Sequence, residues 1–104
     1  MCIDWVDYDP GGDGLEDEYA LIVNDGEDDQ DMTGWTLRDS DGHSYSFPAG
    51  FELESLGEVW VWTMSGADTN EDLYWGRSEP VWDDDGDTAY LQDDSDTLVD
   101  CVSW

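Results

Sequence analysis

Along the chain, apolar and polar residues alternate with a period of two rather than 3.6, which predicts strands and not helices. "CIDWVDY" (Cys2–Tyr8) predicts a first strand, stopped by Asp9-Pro10-Gly11-Gly12. An acidic, Gly-rich loop follows. "EYALIV" (Glu18–Val23) predicts a second strand, ended by Asn24-Asp25-Gly26. "GWTLRD" (Gly34–Asp39) and "HSYSFP" (His43–Pro48) flank Asp41-Gly42, a hairpin signal because both turn residues tolerate positive φ. "EVWVWT" (Glu58–Thr63), a short "LYWG" (Leu73–Gly76), "TAYLQD" (Thr88–Asp93) and "LVDCVSW" (Leu98–Trp104) complete the series. Turn signals recur every ~8–12 residues, the pattern of an all-β sandwich of about seven to nine short strands. No helix of useful length fits, and no internal repeat is visible.

The 104 residues are enough for one domain, 1–104, and not for two. Seven Trp and an aromatic content of 13% separate the chain from disordered acidic sequences, which are poor in aromatics. Charge changes the picture most. Asp and Glu number 29 against two basic residues, Arg38 and Arg77, for a formal net charge of −27. The longest acidic runs are three residues, so this is a charged surface and not an acidic tail. Such a surface repels itself in the compact state. Screening acts over about 8 Å at physiological salt and about 3 Å at 1 M. Dispersed carboxylates without lysine therefore point to a fold that works in molar salt. The rival reading of the charge is an acidic mimic of nucleic acid.

Several positions resemble the lamin tail domain family. They are Glu18-Tyr19 entering the second strand, Asn24 closing it, and "DMTGWTLRDSDGHSYSFPAGFEL". Asp31, Gly34, Trp35, Leu37, Asp39, Gly42, Phe47 and Pro48 fill the family's turn, strand and hairpin pattern, with Met32 and Thr33 in place of the commoner Leu and Ser. "DLYWGRSEPVWDDDGDTAYLQD" (Asp72–Asp93) is similar to the archaeal, salt-loving branch. The resemblance implies an immunoglobulin-like β-sandwich without catalytic machinery, used as a structural, accessory or binding module. Some relatives contact chromatin. That role needs a basic surface, which this composition does not supply, so direct nucleic-acid binding is not expected.

Candidate chemistry is sparse. His43 is the only histidine, which removes any His-based metal cluster, and it is expected to be a solvated hairpin residue. "GRSEP" (Gly76–Pro80) lacks the final glycine of a nucleophile elbow. Carboxylate pairs are too frequent here to indicate a small hydrolase. Calcium is the better metal candidate, with weak ligand positions at Asp83, Asp85 and Asp87, yet neither "DDDGD" nor "DPGGDGLEDE" fits the twelve-residue loop pattern. Diffuse association of Na⁺ or K⁺ is expected, and no cofactor. Cys2 and Cys101 lie on the first and last strands, where a disulfide is geometrically feasible, although a cytoplasmic location argues against one. The N-terminus has no basic region followed by an apolar run, and no segment approaches a membrane span, so a cytoplasmic protein is expected, or an extracellular one if the domain belongs to a longer chain. Arg38, beside Asp39, reads as a surface counter-ion.

The tryptophans carry the functional expectation. Trp35, Trp75 and Trp82 fall at family positions and read as core or loop packing. Trp60 and Trp62 alternate with Val59 and Val61, and the resemblance implies that the valines face inward. Trp5 and Leu21 likewise fall at outward positions on the first two strands. Trp5, Leu21, Trp60 and Trp62 are then expected on one sheet's outer face, either covered by a loop or slightly out of register, or as an apolar patch for a protein partner or a homodimer, or as a stacking surface for glycan. The expected function is a non-catalytic structural or protein-interaction module. The alternative is an accessory ligand-binding domain, and a small hydrolase or acidic mimic comes third.

The composition generates one test. On dialysis from molar KCl into dilute buffer, circular dichroism is expected to lose its β signature and Tm to fall. An unchanged spectrum and Tm in dilute buffer contradict salt adaptation.

Overall fold

The computed structural model describes residues 1–8, 18–82 and 86–104. They hold ten strands and no helix: β1 (Cys2–Asp7), β2 (Tyr19–Val23), β3 (Gln30–Asp31), β4 (Thr36–Arg38), β5 (Ser44–Ser46), β6 (Glu52–Leu53), β7 (Glu58–Trp62), β8 (Asp72–Tyr74), β9 (Thr88–Gln92) and β10 (Leu98–Ser103). One sheet has the order β1-β2-β7-β8 and the other β10-β9-β4-β5. The fold is the expected all-β, immunoglobulin-like sandwich. The two strands beyond the expected series are β3 and β6, a two-residue ribbon too short to show a period.

The inward positions follow the alternation. Ala20, Ile22, Val59, Val61 and Leu73 of the first sheet meet Leu37, Ala89 and Leu91 of the second, none more than 1% exposed. Burying each of the larger aliphatic side chains contributes about 1.5–3 kcal/mol. Trp35, Phe47 and Trp82 extend this core at the sandwich ends. Phe51, Phe47, Tyr45, Trp75, Trp82, Trp104 and Tyr8 form one string of rings, with successive centroids 5.0–6.1 Å apart. Tilted and edge-on contacts of this kind add ~0.5–1.5 kcal/mol each beyond burial.

β1 breaks the alternation. Ile3 and Val6 are both buried although three residues apart, because the register against β2 shifts between Ile3 and Trp5. The extra residue of this bulge puts Trp5 outside, whereas strict alternation from Ile3 would point it inward. β10 has a similar shift between Leu98 and Asp100. There the Asp100 carboxylate accepts the Ile3 backbone N–H at 2.8 Å, joining the edges of the two sheets.

Buried polar groups tie the loops to this frame. Glu18 is 1% exposed. Its Oε1 accepts from Thr63 Oγ1 at 2.8 Å, Val81 N at 2.6 Å and Trp82 N at 3.0 Å. One carboxylate thus pins the entry of β2 to the exit of β7 and to the segment carrying Trp82. Asn24 donates through Nδ2 to the carbonyls of Asp28 and Leu53 and accepts from Gly26 N, which fixes the 50–58 segment beside β2. The β4–β5 hairpin is wider than the two-residue turn expected at Asp41-Gly42. Arg38 pairs with Ser44, and Asp39 N donates to the His43 carbonyl. Asp39, buried, accepts the amides of Asp41 and His43 and lies 2.6 Å from His43 Nδ1. His43 is therefore held by Asp39, the residue that follows β4, and is not merely solvated.

Two predictions follow from these buried groups. Glu18→Ala leaves two amides and a hydroxyl without their acceptor, at about 1–3 kcal/mol for each buried unsatisfied donor. Chemical denaturation is expected to show a loss of roughly 3 kcal/mol or more, with Glu18→Gln milder because one carbonyl acceptor remains. The second concerns Tyr45, whose phenol is pushed up to about 12 by burial and by the nearby Asp68 carboxylate. The unfolded chain ionises this group near pH 10, so stability is intact below about pH 10 and is lost as pH rises through the folded value. Denaturation at stepped alkaline pH should show that fall, and Tyr45→Phe should shrink it.

Candidate functional site

The outer face of the first sheet is built from cross-strand rows. Trp5 faces Leu21, Leu21 faces Trp60 and Trp60 faces Asp72. The next row is Asp7, Tyr19, Trp62 and Tyr74. The structure thus brings Trp5, Leu21, Trp60 and Trp62 together on one face: Trp60 and Trp62 by alternation with buried Val59 and Val61, Leu21 by alternation with buried Ala20 and Ile22, and Trp5 by the bulge in β1. They are not equally open. Trp5 is 57% exposed, while Leu21, Trp60 and Trp62 are half-buried. Trp62 leans on Tyr19 with ring centroids 5.1 Å apart and donates its Nε1–H to Asp72 at 3.0 Å.

Parallel pairing of β7 with β8 explains why one end of the face is covered. The chain leaving β7 must return along the sheet before β8 can start, and it passes over Tyr74. A Cβ on Gly66 would lie 2.5 Å from that ring, so only glycine fits. Asp68 accepts the Tyr74 amide at 2.9 Å and holds the cover down. The uncovered part is the row Trp5, Leu21, Trp60. The outer face of the second sheet is more polar: Thr36, Arg38, Ser44, Ser46, Tyr90 and Gln92 make up its β4, β5 and β9 part, and β10 adds exposed Cys101 and Leu98, the latter 50% exposed. There the Arg38 guanidinium stands 5.4 Å from the Tyr90 ring centroid, while the Asp39 carboxylate is turned inward.

Next to Trp60 the surface opens into a groove of about 730 Å³. Glu52, Glu54, Glu58 and Glu71 line it together with Leu56 and Trp60. Leu56 is the most exposed large apolar residue described, at 81%, and its φ is +61°. It occupies the third position of a turn closed by Gly57 N donating to the Glu54 carbonyl. That position normally takes Gly or Asn, and a left-handed leucine costs on the order of 1–2 kcal/mol. Asp96 shares the conformation, but aspartate tolerates it. Sequence reading passed over this site. The available signal was "LESLG", an apolar residue where a turn calls for a small or polar one.

The carboxylates of Asp39, Asp41 and Asp87 place oxygens within 4.8 Å of one another. Of the calcium positions expected from sequence, Asp83 and Asp85 lie outside the described residues. Asp87 is buried, and its Oδ1 accepts from Ser40 N, Ser40 Oγ and Thr88 N. Backbone and side-chain donors thus already account for the convergence of Asp39 and Asp87. Cys2 on β1 and Cys101 on β10 are free thiols, Cys2 half-buried and Cys101 exposed. Burial and the Asp25 carboxylate push the Cys2 thiol up, away from the reactive thiolate. The residues of the hairpin pattern have structural surroundings: Gly34 and Gly42 hold positive φ, and Trp35, Leu37 and Phe47 are in the core.

Fold and surface define a class, an immunoglobulin-like sandwich distinguished by one aromatic outer face and an acidic groove beside it. More particularly, the chain belongs to the Lamin Tail Domain family, whose model matches residues 1–104. That family is non-enzymatic, and its domains are generally protein-interaction modules. A search of the curated proteins finds no match. Among the described residues no helix is long and apolar enough to cross a membrane.

Proposed function

We propose that this chain is a non-catalytic protein-interaction module adapted to molar salt, and that it docks its partner on the outer face of the first sheet. The observation that carries the reading is the contrast between the two outer faces. The row Trp5, Leu21, Trp60 is apolar and aromatic, with Trp5 57% exposed, whereas the corresponding face of the second sheet is mostly polar and has its exposed leucine, Leu98, on the edge strand β10. Exposed aromatic surface on a chain of net charge −27 is surface that composition would otherwise make acidic. Tryptophan is also favoured at the centres of interfaces. The missing lysines and the similarity of Asp72–Asp93 to the salt-loving branch support the adaptation to salt. Among the described residues, the buried carboxylates of Glu18, Asp39 and Asp87 are engaged by backbone and side-chain donors of the loops they hold.

Site-directed photo-crosslinking tests the docking face. Benzoylphenylalanine replaces Trp5 in one variant and Ser46, exposed on the second sheet, in another; both are expressed in a high-salt cytoplasm. Adducts are expected from position 5 and not from position 46. An adduct of twice the chain mass identifies a second copy, and any other mass a different protein. Equal adducts from both positions, or none from position 5, overturn the assignment of this face.

A further inference from the structure

From the groove beside Trp60 we infer the chemistry of the partner: a basic polypeptide segment of a different protein, with an arginine or lysine side chain seated in the groove and an apolar neighbour against Leu56. This rests on the interaction reading above and specifies its occupant. Three features converge. First, four glutamates, Glu52, Glu54, Glu58 and Glu71, line one concavity together with Trp60. Carboxylates around an aromatic ring are the setting in which a cation–π contact with an incoming guanidinium or ammonium is favoured. Second, Leu56 stands exposed at the rim in a left-handed conformation that a glycine would adopt without strain. An apolar side chain kept in solvent at a backbone cost suits a contact with a ligand. Third, the groove wall is fixed in advance. Asn24 Nδ2 holds the Leu53 carbonyl at 2.9 Å, Ser55 Oγ donates to the Gly26 carbonyl at 2.6 Å, and Ser55 N donates to Asp29 Oδ1 at 2.9 Å. A preset groove needs little ordering when it binds.

Charge decides between occupants. A second copy of this chain has only Arg38 and Arg77 to offer against 29 acidic residues, so most of its surface would bring further carboxylates to the four already there. A single metal ion does not match a groove of about 730 Å³, and the one metal-sized convergence of acidic oxygens among the described residues lies elsewhere, at Asp39, Asp41 and Asp87. A cationic side chain on an extended segment satisfies the glutamates, covers Trp60 and can continue onto Leu21 and Trp5, which share the row with Trp60.

The probe is a fluorescein-labelled dodecapeptide of alternating Arg and Leu, titrated by anisotropy in 1 M KCl, where diffuse attraction is screened to about 3 Å. Binding is expected, and it should disappear when the arginines are replaced by glutamates. Leu56→Gly should weaken it at least about threefold while Tm stays or rises, because glycine relieves the left-handed strain. Glu54→Gln with Glu71→Gln should weaken it about tenfold, and Asp41→Asn with Glu79→Gln, the same charge change outside the groove, by less than about twofold. Equal losses from the two charge pairs, or no effect of Leu56→Gly, overturn the inference. If Trp5→Ser with Trp62→Ser abolishes peptide binding and the groove variants do not, the outer face stands as the interface and the groove is refuted as the cation site. Absence of peptide binding, with self-association by sedimentation in the same salt, likewise overturns the basic partner and leaves the face intact.

Discussion

A chain with 29 acidic residues and two arginines has almost no cations to set against its carboxylates, and peptide N–H groups take that place. Glu18 holds the amides of Val81 and Trp82, Asp39 those of Asp41 and His43, and Asp87 those of Ser40 and Thr88. Asp31, Asp68 and Asp93 do the same for Thr33, Tyr74 and the Ser95–Thr97 turn. A hydrogen bond to an ionised acceptor is about twice as strong as a neutral one and needs no counter-ion. The excess of acid thus becomes the means by which loops are fixed to the sandwich.

Cohesion between the sheets comes from the apolar side. The aliphatic layer of β2, β7, β4 and β9 is flanked by a string of rings running from Phe51 to Tyr8. Trp82 belongs to both systems: its amide is held by Glu18 and its ring packs between Trp75 and Trp104. Core order and loop order are therefore coupled at one residue. The aromatic outer face proposed for docking lies on the outside of this frame, on strands whose other faces are buried. Trp60 lies between two fully buried residues of its own strand, Val59 and Val61.

Most strands were legible because period two survives wherever one face is buried, as in "YALIV", "EVWVW" and "TAYLQ". What escaped was whatever depends on partners remote in sequence. The glutamate of "EY" carries no local sign that it will be buried, since its donors lie 45 to 64 residues away. The bulge that turns Trp5 outward shows only as a misfit between Ile3 and Val6. His43 looked solvated because the bond from Asp39 depends on how the hairpin closes. The aromatic face could be placed from alternation and resemblance, but the groove could not. Its walls come from β6, β7 and the 70–71 segment, and only the left-handed Leu56 left a local trace.

The contact between Ile3 and Asp100 has a consequence for an acidic protein placed in concentrated salt. Like-charge repulsion keeps acidic proteins apart in dilute solution, and molar electrolyte removes that protection. The open margin of a sheet is then a template on which another chain can add a strand. At β1 the donor of Ile3 is occupied by a carboxylate of the same molecule, and the bulge beside it spoils the straight edge a visitor would need. Strand addition at this margin is thus opposed by an intramolecular contact between the first and last strands and by the bulge beside it.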